Sequence, residues 1–315
     1  MKTIDLTTRN FLKDNRHFVD LMNTFVFHEN VLDYRTLRDL DTRKDLRRMD
    51  GRLRARIRDL IKAGVVIKTN GKQLFMIMGV EGQGSVDYAM PIRSLVYEAS
   101  DYSVQLEKNL TQSGHYPKGK KILPVLTLVI YLGEGRWTAP TSLKEMMEEE
   151  IVEKFGHLIS DHRFILIDSS QMEDEEILKA ATDLKAVLLA KKYMGDEEKF
   201  KEVFQSILTN GDQIVSLEGA ELISMMIGYE IPIQEEEGGV DMCKALDDWS
   251  RRERSEGRAE GRKEGFKKGV GIGINKGSTE KEKEMFEAMR AMGASKDFMD
   301  AIQEYIHSPS PKMTF

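Results

Sequence analysis

Apolar residues recur at helical spacing early in the chain. Phe11, Phe18, Leu21, Met22, Phe25 and Val26 fall on one side of a 3.6-residue period and predict an amphipathic first helix over residues 11–27. Residues 30–42 read as a short connection with Leu32, Leu37 and Leu40 as packing points. The pattern then changes. Residues 60–69 and 73–80 are apolar runs of strand composition separated by Asn70-Gly71, a turn signal, and together they predict a β-hairpin. A helix over residues 88–106 follows, then strand candidates at 125–132 and 164–167, the latter running into Asp168. The order helix, hairpin, helix, strand, strand predicts an α/β fold.

Beyond residue 170 the pattern is helical again, rich in Leu, Ala, Lys and Glu as far as Ile227, with a linker at Pro232 and Glu235-Glu236-Glu237-Gly238-Gly239. We expect three regions: a core domain over 1–170, a helical extension over 171–240 and a charged helical tail over 241–315. The tail carries Gly257, Gly261, Gly265, Gly269, Gly273 and Gly277, one every four residues. Each glycine costs about 1 kcal/mol relative to alanine inside a helix. At roughly 100° per residue the repeat drifts about 40° per step and traces a slow spiral groove. Two readings stand: a helix that self-associates through this groove, as small-xxx-small motifs do, or a flexible linker.

Composition narrows the function classes. The 315 residues are 40% hydrophobic and 32% charged, enough for a sizeable core beneath a heavily solvated surface. A net charge of −6 means that nucleic acid would be met by a local patch and not by the whole molecule. One stretch is a candidate for it, with a plain solvated face as the alternative: Arg43, Lys44, Arg47, Arg48, Arg52, Arg54, Arg56, Arg58 and Lys62 are opposed only by Asp45, Asp50 and Asp59. Lys118, Lys120 and Lys121 are candidates to extend it. The one cysteine, Cys243, excludes an internal disulfide framework and a cysteine zinc site and fits a reducing cytoplasm. The first residues lack the apolar stretch of a signal peptide, and the longest apolar run is too short to span a bilayer, so a cytoplasmic protein without membrane contact is expected.

The hairpin brings candidate chemistry with it. Asp59 precedes its first strand and Glu81 ends its second, so the two carboxylates would stand on adjacent strands as an all-oxygen site suited to a hard cation. Alternatively Asp59 is a solvated partner of a nearby arginine. The segments Gly79-Val80-Glu81-Gly82-Gln83, Asp87-Tyr88-Ala89-Met90-Pro91-Ile92-Arg93 with Tyr97, and Pro124 to Gly133 with Trp137 and Pro140 resemble the Rpn-type (recombination-promoting nuclease) transposase-like family of the PD-(D/E)XK nuclease superfamily. The Gly-rich charged tail is similar to that family's, and the resemblance covers roughly residues 10–290 in order.

The resemblance implies a PD-(D/E)XK nuclease-like core, a central mixed sheet flanked by helices and followed by a helical C-terminal region, and a DNA endonuclease that uses Mg²⁺, or another divalent cation such as Mn²⁺, and takes part in recombination or mobile elements. It places Asp59 and Glu81 as metal ligands. Gln83 stands where the superfamily usually has lysine. Glutamine cannot act as a base, but it can orient water through hydrogen bonds. Asp20, or Asp14, is the candidate for the superfamily's first-helix acid, with a solvated or capping role as the alternative. Arg93 and Tyr97, four apart on one helix face, flank the site: Arg93 as a phosphate clamp or as a partner of Glu81 or Asp87, Tyr97 as a core residue. Arg52, Arg54, Arg56 and Arg58 would contact the DNA backbone. The Gly269 and Gly133 clusters lack the strand-to-helix context of nucleotide loops and are discounted. The histidines show no ligand spacing. A second function class stays open, a nuclease-fold protein of weak or no activity that acts through DNA binding or assembly.

Overall fold

A computed structural model describes residues 3–40, 43–47, 53–57, 59–69, 72–208, 211–228 and 239–307. The chain forms two compact units, Met1–Trp249 and Ser250–Phe315.

The first unit starts with α1 (Ile4–Lys13) and α2 (Asn15–Met22), the latter continued by a π-helical turn at Asn23–Phe27. The single helix expected here is broken at Asp14. That residue is extended at φ −62°, ψ 122°, and its carboxylate accepts from the Arg16 N–H at 2.7 Å, capping α2. The connection holds a short strand, β1 (Arg38–Asp39), and the basic segment forms an antiparallel ribbon of its own, β2 (Arg43–Arg47) with β3 (Leu53–Ile57). The predicted hairpin is present as β4 (Leu60–Thr69) and β5 (Lys72–Gln83). Asn70 and Gly71 lie outside the described residues.

Next come α3 (Met90–Asn109), β6 (Val125–Tyr131), α4 (Glu149–Phe155) and β7 (Ile165–Ile167). Pro91 sits in the first turn of α3, where its missing N–H removes no helical bond. Strands β1, β4, β5, β6 and β7 form one sheet in that order, the first two pairings antiparallel and the last two parallel. The expected mixed α/β sheet with flanking helices is thus observed.

Strand alternation divides the core into two faces. Met78, Val80, Leu128 and Ile130 pack with Phe11, Phe18 and Leu21 from α1 and α2. Val129 and Tyr131 pack on the opposite side with Met90, Tyr97, Trp137 and Phe164. Since β6 is covered on both faces, it reads in sequence as a continuous apolar run and not as an alternation.

The helices beyond residue 170 share the first of these cores. They are α5 (Asp174–Ile177), α6 (Leu184–Tyr193), α7 (Glu197–Glu202) and α8 (Leu217–Ile227), together with the strand pair β8 (Ile214–Val215) and β9 (Val240–Asp241). Leu188, Ile223 and Leu246 belong to the same buried cluster as Phe11 and Leu128, so no separate core begins at residue 171. Helix α9 (Met242–Ala291) contains the whole glycine repeat, and α10 (Lys296–His307) follows it. In this structure the repeat is helical.

Two buried lysines tie the first unit together. Lys62 of β4 is fully buried, and its ammonium donates to Lys13 O at 3.1 Å and Asn15 Oδ1 at 2.5 Å and pairs with Asp39 at 2.9 Å. It holds the α1–α2 break against the sheet, so it is not part of a DNA-facing patch. Lys191 of α6 donates to Gly135 O at 2.7 Å, Asp168 Oδ1 at 2.8 Å and Ser170 Oγ at 3.0 Å. Asp168 also accepts from the Trp137 N–H at 2.7 Å, and Lys191 and these bonds hold its carboxyl below the usual range against the opposing effect of burial.

Candidate functional site

The register of the hairpin builds the site. Leu60 pairs with Val80, so Asp59, one residue before β4, stands opposite Glu81. The Gly82 N–H donates to Asp59 Oδ2 at 2.9 Å, and the Asp59 N–H lies 3.4 Å from Glu81 Oε1. Glu81 is 1% exposed and Gln83 6%, and being two apart on β5 they point to the same face. Backbone N–H contacts thus join Asp59 and Glu81 at the end of the sheet where β5, β6 and β7 terminate.

Helix α1 closes the site from the other side. A Cβ on Gly82 would lie 2.8 Å from the Thr8 side chain, and one on Gly84 2.9 Å from Ile4, so both glycines make room for the helix. The Gly84 N–H donates to Asp5 Oδ1 at 2.8 Å. Burial pushes the Asp59 carboxyl above its ordinary pKa; the Gly82 N–H pulls it back, Asp5 adds to the rise, and Arg93 and Arg9 oppose it. Asp5 and Arg9, one turn apart on α1, are thus the charged residues near Asp59 that the sequence reading missed. The isolated glycines in β5 were the available signal, because glycine within a strand marks close backbone approach.

Arg93 comes from the first turns of α3. Its guanidinium pairs with Asp87, lies 3.4 Å from Glu81 Oε2 and donates to the Tyr97 hydroxyl at 3.2 Å. Burial opposes its charge, but the bonds to Tyr97 and Asp87 and the Glu81 charge raise its pKa further. Arg93 is therefore engaged by two protein carboxylates and orients Glu81, the second of the two roles expected for it. Tyr97 is buried in the core as expected, and burial and the Glu81 charge raise its pKa.

The other candidates lie elsewhere. Asp20 is not brought to the pair: its carboxylate accepts from Thr24 Oγ1, the Ala181 N–H, the Thr182 N–H and Thr182 Oγ1, at 2.6–3.0 Å. It anchors the turn before α6, and four hydrogen bonds leave it little capacity for a metal. Asp14 caps α2 and pairs with Arg16 at 2.9 Å. Arg54 and Arg56 lie on β3, while Arg52 and Arg58 fall outside the described residues. Two histidines have structural partners: His17 pairs with Asp183 at 2.5 Å, and His162 meets Ser94 Oγ at 2.9 Å with Glu98 3.7 Å away. Ser94 is fully buried and its hydroxyl also donates to Pro91 O, so this trio is no nucleophile.

For a cation the notch offers the carboxylate oxygens of Asp59 and Glu81 and the amide oxygen of Gln83. Among the described residues no group of three or more His, Cys, Asp and Glu side chains is gathered for a metal. Mg²⁺ fits such a sparse set, since it is typically held by one or two carboxylates and completes its shell with waters and substrate phosphates. Among the described residues no helix is long and apolar enough to cross a membrane.

Comparison with known proteins matches residues 4–219 to the model of a family described as "Putative transposase, YhgA-like". No curated protein and no solved structure matches the chain. The matched segment runs from α1 to the start of α8 and so takes in the whole five-stranded sheet, the Asp59–Glu81 pair and Arg93. On a match that covers most of its length, the chain belongs to the YhgA-like transposase family.

Proposed function

We propose that this member of the family is a divalent-cation-dependent DNA endonuclease that hydrolyses phosphodiesters. The observation that supports it best is the hydrogen-bonded Asp59–Glu81 pair at the terminus of β5, with Gln83 two residues on. Asp59 and Glu81 would hold Mg²⁺ or Mn²⁺. Such an ion, when bound, neutralises charge on the phosphate oxygens and makes a bound water more acidic. The chain's own groups do the rest. The Gly82 N–H fixes the Asp59 carboxylate, and Arg93, steadied by Tyr97, orients Glu81. Gln83 accepts from and donates to a water without taking its proton. Burial makes ionised Asp59 costly in the free protein, and a cation would relieve that cost.

A second reading is favoured by Gln83, which brings no positive charge where the superfamily has lysine, and by Arg93, whose charge is already shared by two carboxylates. On it the protein binds DNA and assembles through the glycine-repeat helix without efficient cleavage. Plasmid nicking decides between them. The nuclease reading expects wild type to nick supercoiled plasmid with Mg²⁺ and to stop with EDTA, and Asp59→Ala to fail under both conditions. Retarded but uncut DNA with both proteins would select the binding role.

A further inference from the structure

The basic segment ahead of Asp59 is built as a separate element. Strands β2 and β3 pair with each other and with no other strand among those described. Their ten residues carry five cations, Arg43, Lys44, Arg47, Arg54 and Arg56, against one acid, Asp45, in a chain whose net charge is −6. In the pairing register Lys44 meets Arg56, Leu46 meets Arg54, and Asp45, the one acid of the two strands, meets Ala55. The second strand ends at Ile57, two residues before Asp59.

We propose that this ribbon is an arm that enters the major groove of duplex DNA and sets the backbone beside Asp59 and Glu81. The inference rests on the nuclease reading for what happens at the acids, but the binding it describes stands apart from cleavage. Three features carry it. The two strands carry five cations to one acid, which is the complement of a phosphate-lined groove. A two-stranded ribbon fits the major groove of B-form DNA, roughly 12 Å wide. The second strand ends two residues before the site acid, so ribbon and site are neighbours in sequence. The same geometry selects the substrate. The major groove of A-form RNA is deep and narrow and excludes such a ribbon, so the arm discriminates duplex DNA from duplex RNA.

The test uses the full chain with EDTA present, so that no strand is cut. Binding to a labelled DNA duplex and to an RNA duplex of the same sequence is measured by anisotropy across a salt series. The expected result is DNA bound on the order of tenfold more tightly than RNA. A triple variant, Lys44→Gln with Arg54→Gln and Arg56→Gln, should flatten the slope of log affinity against log salt by about 2.7 if each residue neutralises one phosphate. Arg54→Lys with Arg56→Lys should keep the wild-type slope, which separates charge loss from misfolding. Methyl green, a major-groove ligand, should compete, whereas netropsin, which takes the minor groove, should not. An unchanged slope in the triple variant, equal binding of RNA, or displacement by netropsin alone would overturn the proposal. Binding through the ribbon without nicking in Mg²⁺ would instead remove the nuclease reading and leave the arm intact.

Discussion

His17 offers the sharpest test of how the first unit is held. Its Nδ1 lies 2.9 Å from Phe11 O and its Nε2 2.5 Å from Asp183 Oδ1. Both nitrogens face acceptors, and the ring form that can donate to both is the imidazolium. Burial works against that charge, but the Asp183 carboxylate and the Phe11 carbonyl raise the His17 pKa, while against its own burial Asp183 is lowered by His17 and the Ser216 N–H. The substitution to make is His17→Phe, which keeps the stack on Phe11, now at 4.0 Å between ring centroids. It strips a hydrogen-bond partner from Phe11 O and the ion-pair partner from Asp183 Oδ1, a buried oxygen with no further hydrogen bond among the described residues. Each buried polar group so abandoned costs about 1–3 kcal/mol. Both side chains of the pair are no more than 10% exposed, so screening by solvent is slight. We expect a loss of about 3–5 kcal/mol, the range for one partner removed from a buried pair.

The sign with pH follows from the two directions. A raised histidine stabilises fully below its unfolded pKa of about 6.5, and that contribution is lost as pH climbs through the folded value. A lowered aspartate stabilises above its unfolded pKa of about 3.9 and loses its contribution as pH falls through the folded one. The pair therefore contributes most between about pH 4 and pH 6.5. Urea unfolding at pH 6 and pH 9 should show wild type losing stability toward alkali and His17→Phe losing markedly less. Equal slopes for the two proteins, or a cost below about 1 kcal/mol, would refute the imidazolium assignment.

Asp59→Asn should stabilise the metal-free protein by about 0.5–2 kcal/mol, as removal of a costly functional charge commonly does, because the amide oxygen can still accept from Gly82. Calorimetry should find a higher Tm than wild type and no further rise with Mg²⁺; a lower Tm would count against the burial argument. Gly82→Ala puts a Cβ 2.8 Å from Thr8 and should cost about 1–3 kcal/mol by displacing α1, seen in chemical denaturation, with Gly82→Ala in a Thr8→Ala background recovering part of the loss. Lys191→Met leaves Asp168 buried and ionised and should cost about 3–5 kcal/mol; the double variant with Asp168→Leu should be the more stable of the two, which a thermal melt will decide.

The sequence was most legible where a local pattern matched a final element. The apolar runs of β5 and β6 and the start of α3 are found within a few residues of where periodicity puts them. The hairpin itself is legible, but its turn register alone would set Asp59 opposite Gly82; the irregularity between Val65 and Ile67 shifts the pairing by one residue and brings Glu81 there instead. What was hidden depends on partners distant in sequence. Lys62 reads as one more cation of a basic stretch until the α1–α2 break and Asp39 are placed around it. Asp20 looks like a helix acid near a site until Ala181 and Thr182 claim its oxygens. Asp5 carries no motif at all; it reaches Gly84 because a helix docks on two bare glycines. His17 has no ligand spacing because its partner lies at Asp183.

The seat of α1 has a consequence for when the site is completed. Helix α1 packs against Gly82 and Gly84 and reaches the acid site through Asp5, yet its far side rests on α8, where Thr7 Oγ1 donates to Met225 Sδ at 2.9 Å. A growing chain makes Asp59 and Glu81 long before α8, the element that holds α1 against β5, has been translated. At about 5–20 residues per second that interval lasts on the order of ten seconds. A nascent chain, or a product truncated before α8, carries the acids without the clamp, so the site takes its final form only once the first unit is nearly whole.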